Sequence, residues 1–124
     1  MIARPLAQTG AAQDKERVTM NEHPLATLYK LDPELMAHLQ TTDPLIYDDG
    51  ALPRKFKLLI AMAFDAAAGA EGGVRALANR ALQEGATKEE IAETLRVAYH
   101  LTGVGTLYTA SRALRDLGDA IERE

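Results

Sequence analysis

The 124-residue sequence contains no cysteine and no tryptophan, and it has only two phenylalanines and four tyrosines. Without cysteine the chain has no disulfide, no thiolate metal ligand and no thiol nucleophile. The few aromatic residues, in an apolar share of 47% that includes many alanines, favour closely packed helices over a sheet. No apolar run reaches the roughly 20 residues of a membrane-spanning helix, so we expect no contact with a membrane.

The charges are mixed and carry a modest acidic excess. Eighteen acidic and fourteen basic side chains give a formal net charge of −4. The Lys and Arg residues are scattered along the chain, so we expect no nucleic-acid partner. Residues 1–19 lack the apolar segment of a signal peptide, and the default expectation is a soluble cytoplasmic protein.

The chain divides into an arm and one domain. Residues 1–20 mix Ala, Gln, Gly and charged side chains without periodicity, which predicts a flexible N-terminal arm. Residues 21–124 are predicted to form a single domain. Its first helix is expected over residues 33–41, where Asp32 would cap a start at Pro33. Residues 44–51 are expected to be a loop or a short helix.

Helix signals continue to the C-terminus, and no segment alternates like a strand, so the predicted fold class is all-α. A long central helix is predicted from Pro53 to about Ala68, apolar on two faces and buried all round, and a second helix over 71–84 ends at Gly85. Thr87 and Glu90 form a predicted capping box at the next helix. One last helix carries a coiled-coil-like seam. The seam residues are Leu107, Ala110, Leu114, Leu117 and Ile121.

Three segments together resemble the carboxymuconolactone decarboxylase and alkylhydroperoxidase (AhpD-like) family. They run Leu52-Pro53-Arg54-Lys55-Phe56-Lys57-Leu58-Leu59-Ile60-Ala61-Met62-Ala63, Gly85-Ala86-Thr87-Lys88-Glu89-Glu90-Ile91 and Ala98-Tyr99-His100-Leu101-Thr102-Gly103-Val104. The resemblance covers about half of the chain. It implies an oligomeric helical bundle, with trimers or hexamers as the expected assemblies.

The resemblance also shows what this chain has lost. Redox members of the family carry a CxxC pair, a His four residues after the second Cys and a Glu twelve residues before the first. Those positions hold Ala70, Gly73, Leu77 and Leu58 here. None of these side chains ionises or attacks a peroxide, so thiol-peroxidase chemistry by this route is excluded.

The decarboxylase branch of the family lacks the Cys pair, as this chain does. Its members are expected to act on a small dicarboxylated lactone by proton transfer. For this chain we expect no cofactor and no metal. The His that the branch carries at position 77 is absent here, so another residue would have to serve.

His100 is the first candidate catalytic residue, because histidine ionises near neutral pH. It continues a polar stripe formed with Glu89, Glu93 and Arg96. The alternative is an ordinary exposed histidine near a helix C-terminus, and we weigh that alternative more heavily. In an oligomer the same stripe could line an interface between subunits.

Asp65 is the second candidate catalytic residue, since a carboxylate is unusual on a buried central helix. A structural ion pair, or exposure at a groove, is the alternative. Arg75, Asn79 and Arg54 are candidate ligand-binding residues, because an Arg fork binds carboxylates. The alternative is that Arg75 and Asn79 lie on the solvent-exposed side of an amphipathic helix.

Two functions remain open from the sequence. The first is a non-redox enzyme or binder of a small carboxylated metabolite, which would use His100, Asp65 and Arg75 in one pocket. The second is a non-catalytic structural or accessory homo-oligomer whose site has degenerated. Convergence of the three side chains on one cavity would favour the first function, and their dispersion would favour the second.

Overall fold

The computed structural model describes residues 23–124, and within them it has seven helices and no strand. The predicted all-α fold is therefore confirmed. The helices are α1 Ala26–Leu31, α2 Pro33–Tyr47, α3 Arg54–Ala67, α4 Glu71–Gln83, α5 Lys88–Thr102, α6 Gly105–Ala113 and α7 Arg115–Glu122. The predicted arm, residues 1–20, lies outside the described residues. The chain divides into two compact units between Ile46 and Tyr47.

The first unit contains α1 and nearly all of α2. The predicted start of α2 is confirmed, because Asp32 Oδ1 accepts a hydrogen bond from the Leu35 amide at 3.0 Å, the contact of an N-cap side chain. The short helix α1 before it was not predicted. The Gln40 amide nitrogen lies 3.4 Å from the Tyr29 hydroxyl and ties the two helices together.

The predicted end of α2 near residue 41 is wrong, because the helix continues through Pro44 to Tyr47. A proline inside a helix removes one backbone hydrogen bond and crowds the preceding turn. The two threonines before it contact the backbone of that turn: Thr41 Oγ1 donates to the His38 carbonyl at 2.7 Å, and Thr42 Oγ1 donates to the Leu39 carbonyl at 2.9 Å. Pro44 leaves the Gln40 carbonyl without its helical donor, and α2 nevertheless continues to Tyr47.

The second unit is built around α3, which packs against α4, α5 and α6. Its inner face is closed, with Leu58 and Met62 at 0% exposure. The cluster of buried side chains consists of Leu58, Leu59, Met62, Ala66, Val74, Leu77, Ala78, Ala81, Ala86, Ile91, Ala110 and Ala113. Alanines fill much of this core, so the helices approach closely.

Within residues 23–124 the second apolar face of α3 is not covered. Phe56 is 42% exposed, Ile60 45% and Phe64 72%. The prediction that this helix is buried all round is therefore wrong for the part of the chain that the structure describes. Both faces follow helical spacing, but α4, α5 and α6 cover only the one that carries Leu58 and Met62.

The predicted turn and capping box between α4 and α5 are confirmed. Gly85 has a φ of 92°, a left-handed conformation that favours glycine after a helix end. The Glu90 amide donates to Thr87 Oγ1 at 3.1 Å, and the Thr87 amide donates to the Glu90 carboxylate at 2.9 Å. Both bonds satisfy amides that a helix start leaves without partners.

The predicted single last helix is wrong, because the segment breaks at Leu114 into α6 and α7. In a continuous helix the Ala113 carbonyl would accept from the amide of Leu117. Here the Arg75 guanidinium donates to that carbonyl, with Nε 3.3 Å away. Leu114 and Leu117 of the predicted seam pack against the core of their own chain, while Ile121 is 39% exposed.

Candidate functional site

The positions that carry redox chemistry in the family that this chain resembles lie on α3, at the start of α4 and in the middle of α4. Leu58 is fully buried, and Leu77 is 8% exposed, so two of the four belong to the hydrophobic core. Ala70 is the N-cap residue of α4, and Gly73 lies in its first turn and is partly buried. No side chain at these positions can take up a proton, donate an electron pair or bind a metal.

Asp65 of α3 fills the space next to Gly73. A Cβ atom placed on Gly73 would overlap the Asp65 carboxylate and would lie 2.9 Å from its Cγ atom. Real Cβ atoms essentially never approach a neighbour that closely. The Asp65 side chain therefore occupies the room that a side chain at the second Cys position would need. This is the one predicted catalytic residue that the structure brings to the family's site.

The Asp65 carboxylate is partly buried, and burial raises its pKa above the ordinary value for an aspartate. Burial penalises the charged form of a carboxyl group, which shifts its equilibrium toward the protonated acid. Within residues 23–124 its carboxylate makes no hydrogen bond or ion pair. The site can therefore hold a proton on Asp65, but it offers no nucleophile and no cation beside it.

The predicted ligand-binding residue Arg75 extends across to α6, where it donates to the Ala113 carbonyl. This bond joins α4 to the junction of α6 and α7. Asn79, one turn further along α4, is exposed to solvent. The structure does not bring these two side chains together in a common contact.

Arg54 begins α3 and makes several contacts nearby. Its side-chain Nε lies 3.1 Å from a carboxylate oxygen of Glu84 at the end of α4. A second, longer ion pair reaches Asp48 at 3.8 Å, and its amide donates to the Asp49 carboxylate at 2.6 Å. These contacts fix the start of α3 against the end of α4, so they account for Arg54 without a ligand.

His100 lies near the C-terminus of α5 and is exposed. It lines an open depression of about 360 Å³ that is formed by the consecutive residues 99–104. Gly103, with a φ of 105°, makes the turn at its end. His100 is the only predicted site residue that lines this depression. Asp65 and Arg75 do not line it.

An apolar groove between α3 and α5 was not predicted as a site. Its volume is about 360 Å³. The groove is lined by Ile60, Ala63, Phe64, Ala67, Thr94, Val97, Ala98, Leu101 and Thr102. The sequence contained a signal for this groove, namely the second apolar face of α3. We interpreted that face as buried.

Residues 23–124 contain neither a metal-binding cluster of side chains nor a helix that could span a membrane. No group of three or more His, Cys, Asp or Glu side chains is placed to hold a metal ion there. In the same residues, no helix combines the length and the apolar character needed to span a bilayer.

The protein is all-helical, as the resemblance to the carboxymuconolactone decarboxylase and alkylhydroperoxidase family implies, and its site contains no thiol. A sequence model of the carboxymuconolactone decarboxylase family matches residues 33–116. A crystal structure of an apo carboxymuconolactone decarboxylase family protein from Legionella pneumophila superposes with a TM-score of 0.69 at 33% sequence identity. That match covers 84% of this chain and 90% of the other. No curated protein sequence matches.

This chain belongs to the carboxymuconolactone decarboxylase family. The resemblance inferred from three segments is thereby confirmed, and the matched region extends further toward the N-terminus than those segments do. With no cysteine in the sequence, the chain is a member that lacks the CxxC pair.

Proposed function

We propose that this protein is a non-catalytic member of its family, which acts as a structural or accessory homo-oligomer. The observation that carries the proposal is the burial of Leu58 and Leu77 at the positions of the family's Glu and His. Both side chains are part of the hydrophobic core. Two positions of the family's site are therefore part of the hydrophobic core, and the burial of their apolar side chains stabilises the fold.

The surroundings of the other predicted site residues support the same proposal. Arg54 pairs with Glu84, and Arg75 donates to the Ala113 carbonyl, so both guanidinium groups hold helices together. His100 lies in a depression without Asp65 or Arg75. A pocket for a carboxylated metabolite would need at least one of these cations to face Asp65 or His100 across a cavity.

The proposal is tested by assays for turnover on purified protein. We expect no consumption of an alkyl hydroperoxide with a dithiol reductant, and no decarboxylation of a carboxylated muconolactone, above the rate in buffer. A CxxC-containing alkylhydroperoxidase and an active lactone decarboxylase serve as positive controls under the same conditions. Turnover of either substrate in a metal-free assay would contradict the proposal.

A second candidate function rests on Asp65. Its raised pKa and its lack of a partner among residues 23–124 are typical of a general acid or base, so Asp65 could transfer a proton in a non-redox enzyme that acts on a small carboxylated metabolite. Asp65→Asn distinguishes this candidate from the first. Loss of binding or turnover of such a metabolite, with stability preserved or raised, would favour it.

The proposed protein works without cofactor, metal ion, membrane or nucleic acid. Its cytoplasmic location stays a prediction, as does the size of the oligomer.

A further inference from the structure

Within residues 23–124, α3 and α5 together expose a contiguous apolar face, the α3–α5 face. It consists of four large apolar side chains, Ile60, Phe64, Val97 and Leu101, and five small side chains, Ala63, Ala67, Thr94, Ala98 and Thr102. Phe64 is 72% exposed, Leu101 76% and Val97 63%. Soluble chains expose single apolar residues often, but a contiguous apolar groove of this kind marks an interaction surface.

The shape of the α3–α5 face suits a second copy of itself. Large, exposed side chains and small ones line the same groove, so one face offers both projections and space that would receive them. A two-fold symmetric contact needs such self-complementarity, because each residue i that meets j is matched by j meeting i. In that arrangement Phe64 of each chain enters the groove of the other.

The charges beside the groove are also self-complementary. On a helical wheel the polar stripe of α5 lies next to Val97 on its solvent side. The stripe carries Glu89 and Glu93 in the N-terminal half of the helix and Arg96 and His100 in the C-terminal half. All four side chains are exposed, and within residues 23–124 none of them forms an ion pair. Two copies of α5 that run antiparallel would place the acidic half of each against the basic half of the other.

The exposed area approaches that of such a contact. Together with Phe56 and Val104, which are 42% and 52% exposed, the four large residues present on the order of 600 Å² of surface per chain, against about 800 Å² per partner in a standard interface. The polar stripe of α5 would supply the rim. A small polar ligand fits the groove poorly, because Thr94 and Thr102 are its only side chains with a polar atom.

We propose that the α3–α5 face binds the α3–α5 face of a second copy of this chain across a two-fold axis, with the two α5 helices antiparallel. This inference rests on the proposed homo-oligomer and specifies its contact. It also restricts the assembly, since a two-fold contact gives particles with an even number of chains. A hexamer contains such axes, whereas an isolated trimer does not.

The contact is tested by placing a charge at its centre. Phe64→Glu and Leu101→Glu change side chains that are exposed in the single chain, so each variant should fold, as circular dichroism would check. We expect each to raise the dissociation constant of the two-fold contact at least tenfold in sedimentation velocity. Leu52→Glu is the matched control, because Leu52 is 49% exposed and lies outside the face. Ile121→Glu tests the predicted seam on α7, and we expect no effect.

The antiparallel arrangement has its own test. Glu93→Arg alone and Arg96→Glu alone place like charges across the contact, and each should weaken association at least threefold at low salt. The double variant E93R/R96E exchanges the two signs and should recover most of the lost association. Raising the salt concentration should reduce the differences, because exposed charges are screened.

The outcomes separate the two proposals. A wild-type protein that sediments as a single chain contradicts the proposed homo-oligomer and the contact with it. A wild-type oligomer that Phe64→Glu and Leu101→Glu leave intact contradicts the contact alone, as does an oligomer that is dissociated only by Ile121→Glu. Failure of the double charge variant to recover association contradicts the antiparallel arrangement.

Discussion

At the scale of single residues, Asp65 and Gly73 form a matched pair. The Asp65 carboxylate fits beside α4 because position 73 has no Cβ atom. A glycine in the first turn of a helix is unfavourable by itself, since alanine stabilises helices by up to about 1 kcal/mol relative to glycine. The close approach of Asp65 gives a physical reason for glycine at this position.

We predict that Gly73→Ala has opposite effects in two backgrounds. With Asp65 present, the new methyl group overlaps the carboxylate, and we expect a loss of about 1 kcal/mol in the free energy of unfolding. In an Asp65→Ala background the same change should raise it by roughly 0.5–1 kcal/mol. Urea denaturation of the four proteins measures the coupling. Equal effects of Gly73→Ala in the two backgrounds would show that the two residues are independent.

We also predict how Asp65→Asn changes stability with pH. The folded pKa of Asp65 is raised by burial, so its protonated form favours the folded state. That contribution is fully present below the unfolded pKa of about 3.9 and is lost as pH rises through the folded value. At pH 7 the wild type has lost it, so the variant should be the more stable of the two.

The difference between Asp65→Asn and wild type should shrink as the pH approaches 4, where Asp65 regains its proton. Thermal unfolding at several pH values measures it. Asp119→Asn is the matched control for the loss of one carboxylate, because Asp119 is exposed on α7. A difference for Asp65→Asn that stayed constant from pH 4 to pH 7 would contradict the raised pKa.

At the scale of helices, sequence signals predicted helix starts and ends correctly where these depend only on residues nearby in the chain. The capping box of Thr87 and Glu90 and the turn at Gly85 depend on neighbours within a few residues, and both are confirmed. The helix predicted over residues 33–41 continues through Pro44 to Tyr47, so a proline in the sequence did not mark its end.

Long-range contacts were the part of the fold and of the site that sequence could not predict. The break at Leu114 coincides with a bond from Arg75, which lies 38 residues away in the chain. Likewise, the overlap between Asp65 and position 73 depends on how α3 meets α4, and not on helical spacing. The loss of the family's thiols, by contrast, could be recognised from the sequence because cysteine is absent altogether.

We predict that Arg75→Met loosens the junction of α6 and α7. Methionine keeps an apolar stem but removes the donor to the Ala113 carbonyl, so we expect a loss of about 1 kcal/mol in the free energy of unfolding. Amide exchange at residues 114–118 should accelerate. Asn79→Ala, one turn further along α4 at an exposed position, should change stability by less than about 0.5 kcal/mol. Unchanged exchange in Arg75→Met would show that the bond does not hold the junction.

At the scale of the whole molecule, the chain combines a fully packed core with an uncovered second face on α3. The core takes over two of the positions that carry chemistry in redox members of the family, Leu58 and Leu77. The uncovered face carries Phe56, Ile60 and Phe64, which is more apolar surface than a stable single chain would be expected to expose. The absence of a thiol site and the exposure of an apolar face within residues 23–124 support the proposed role in assembly.

Light scattering coupled to size-exclusion chromatography at micromolar concentration tests this account most directly. We predict one particle whose mass is an even multiple of the 13.4 kDa chain, because the proposed contact pairs chains across a two-fold axis. A particle of 13.4 kDa at the same concentration would contradict the account.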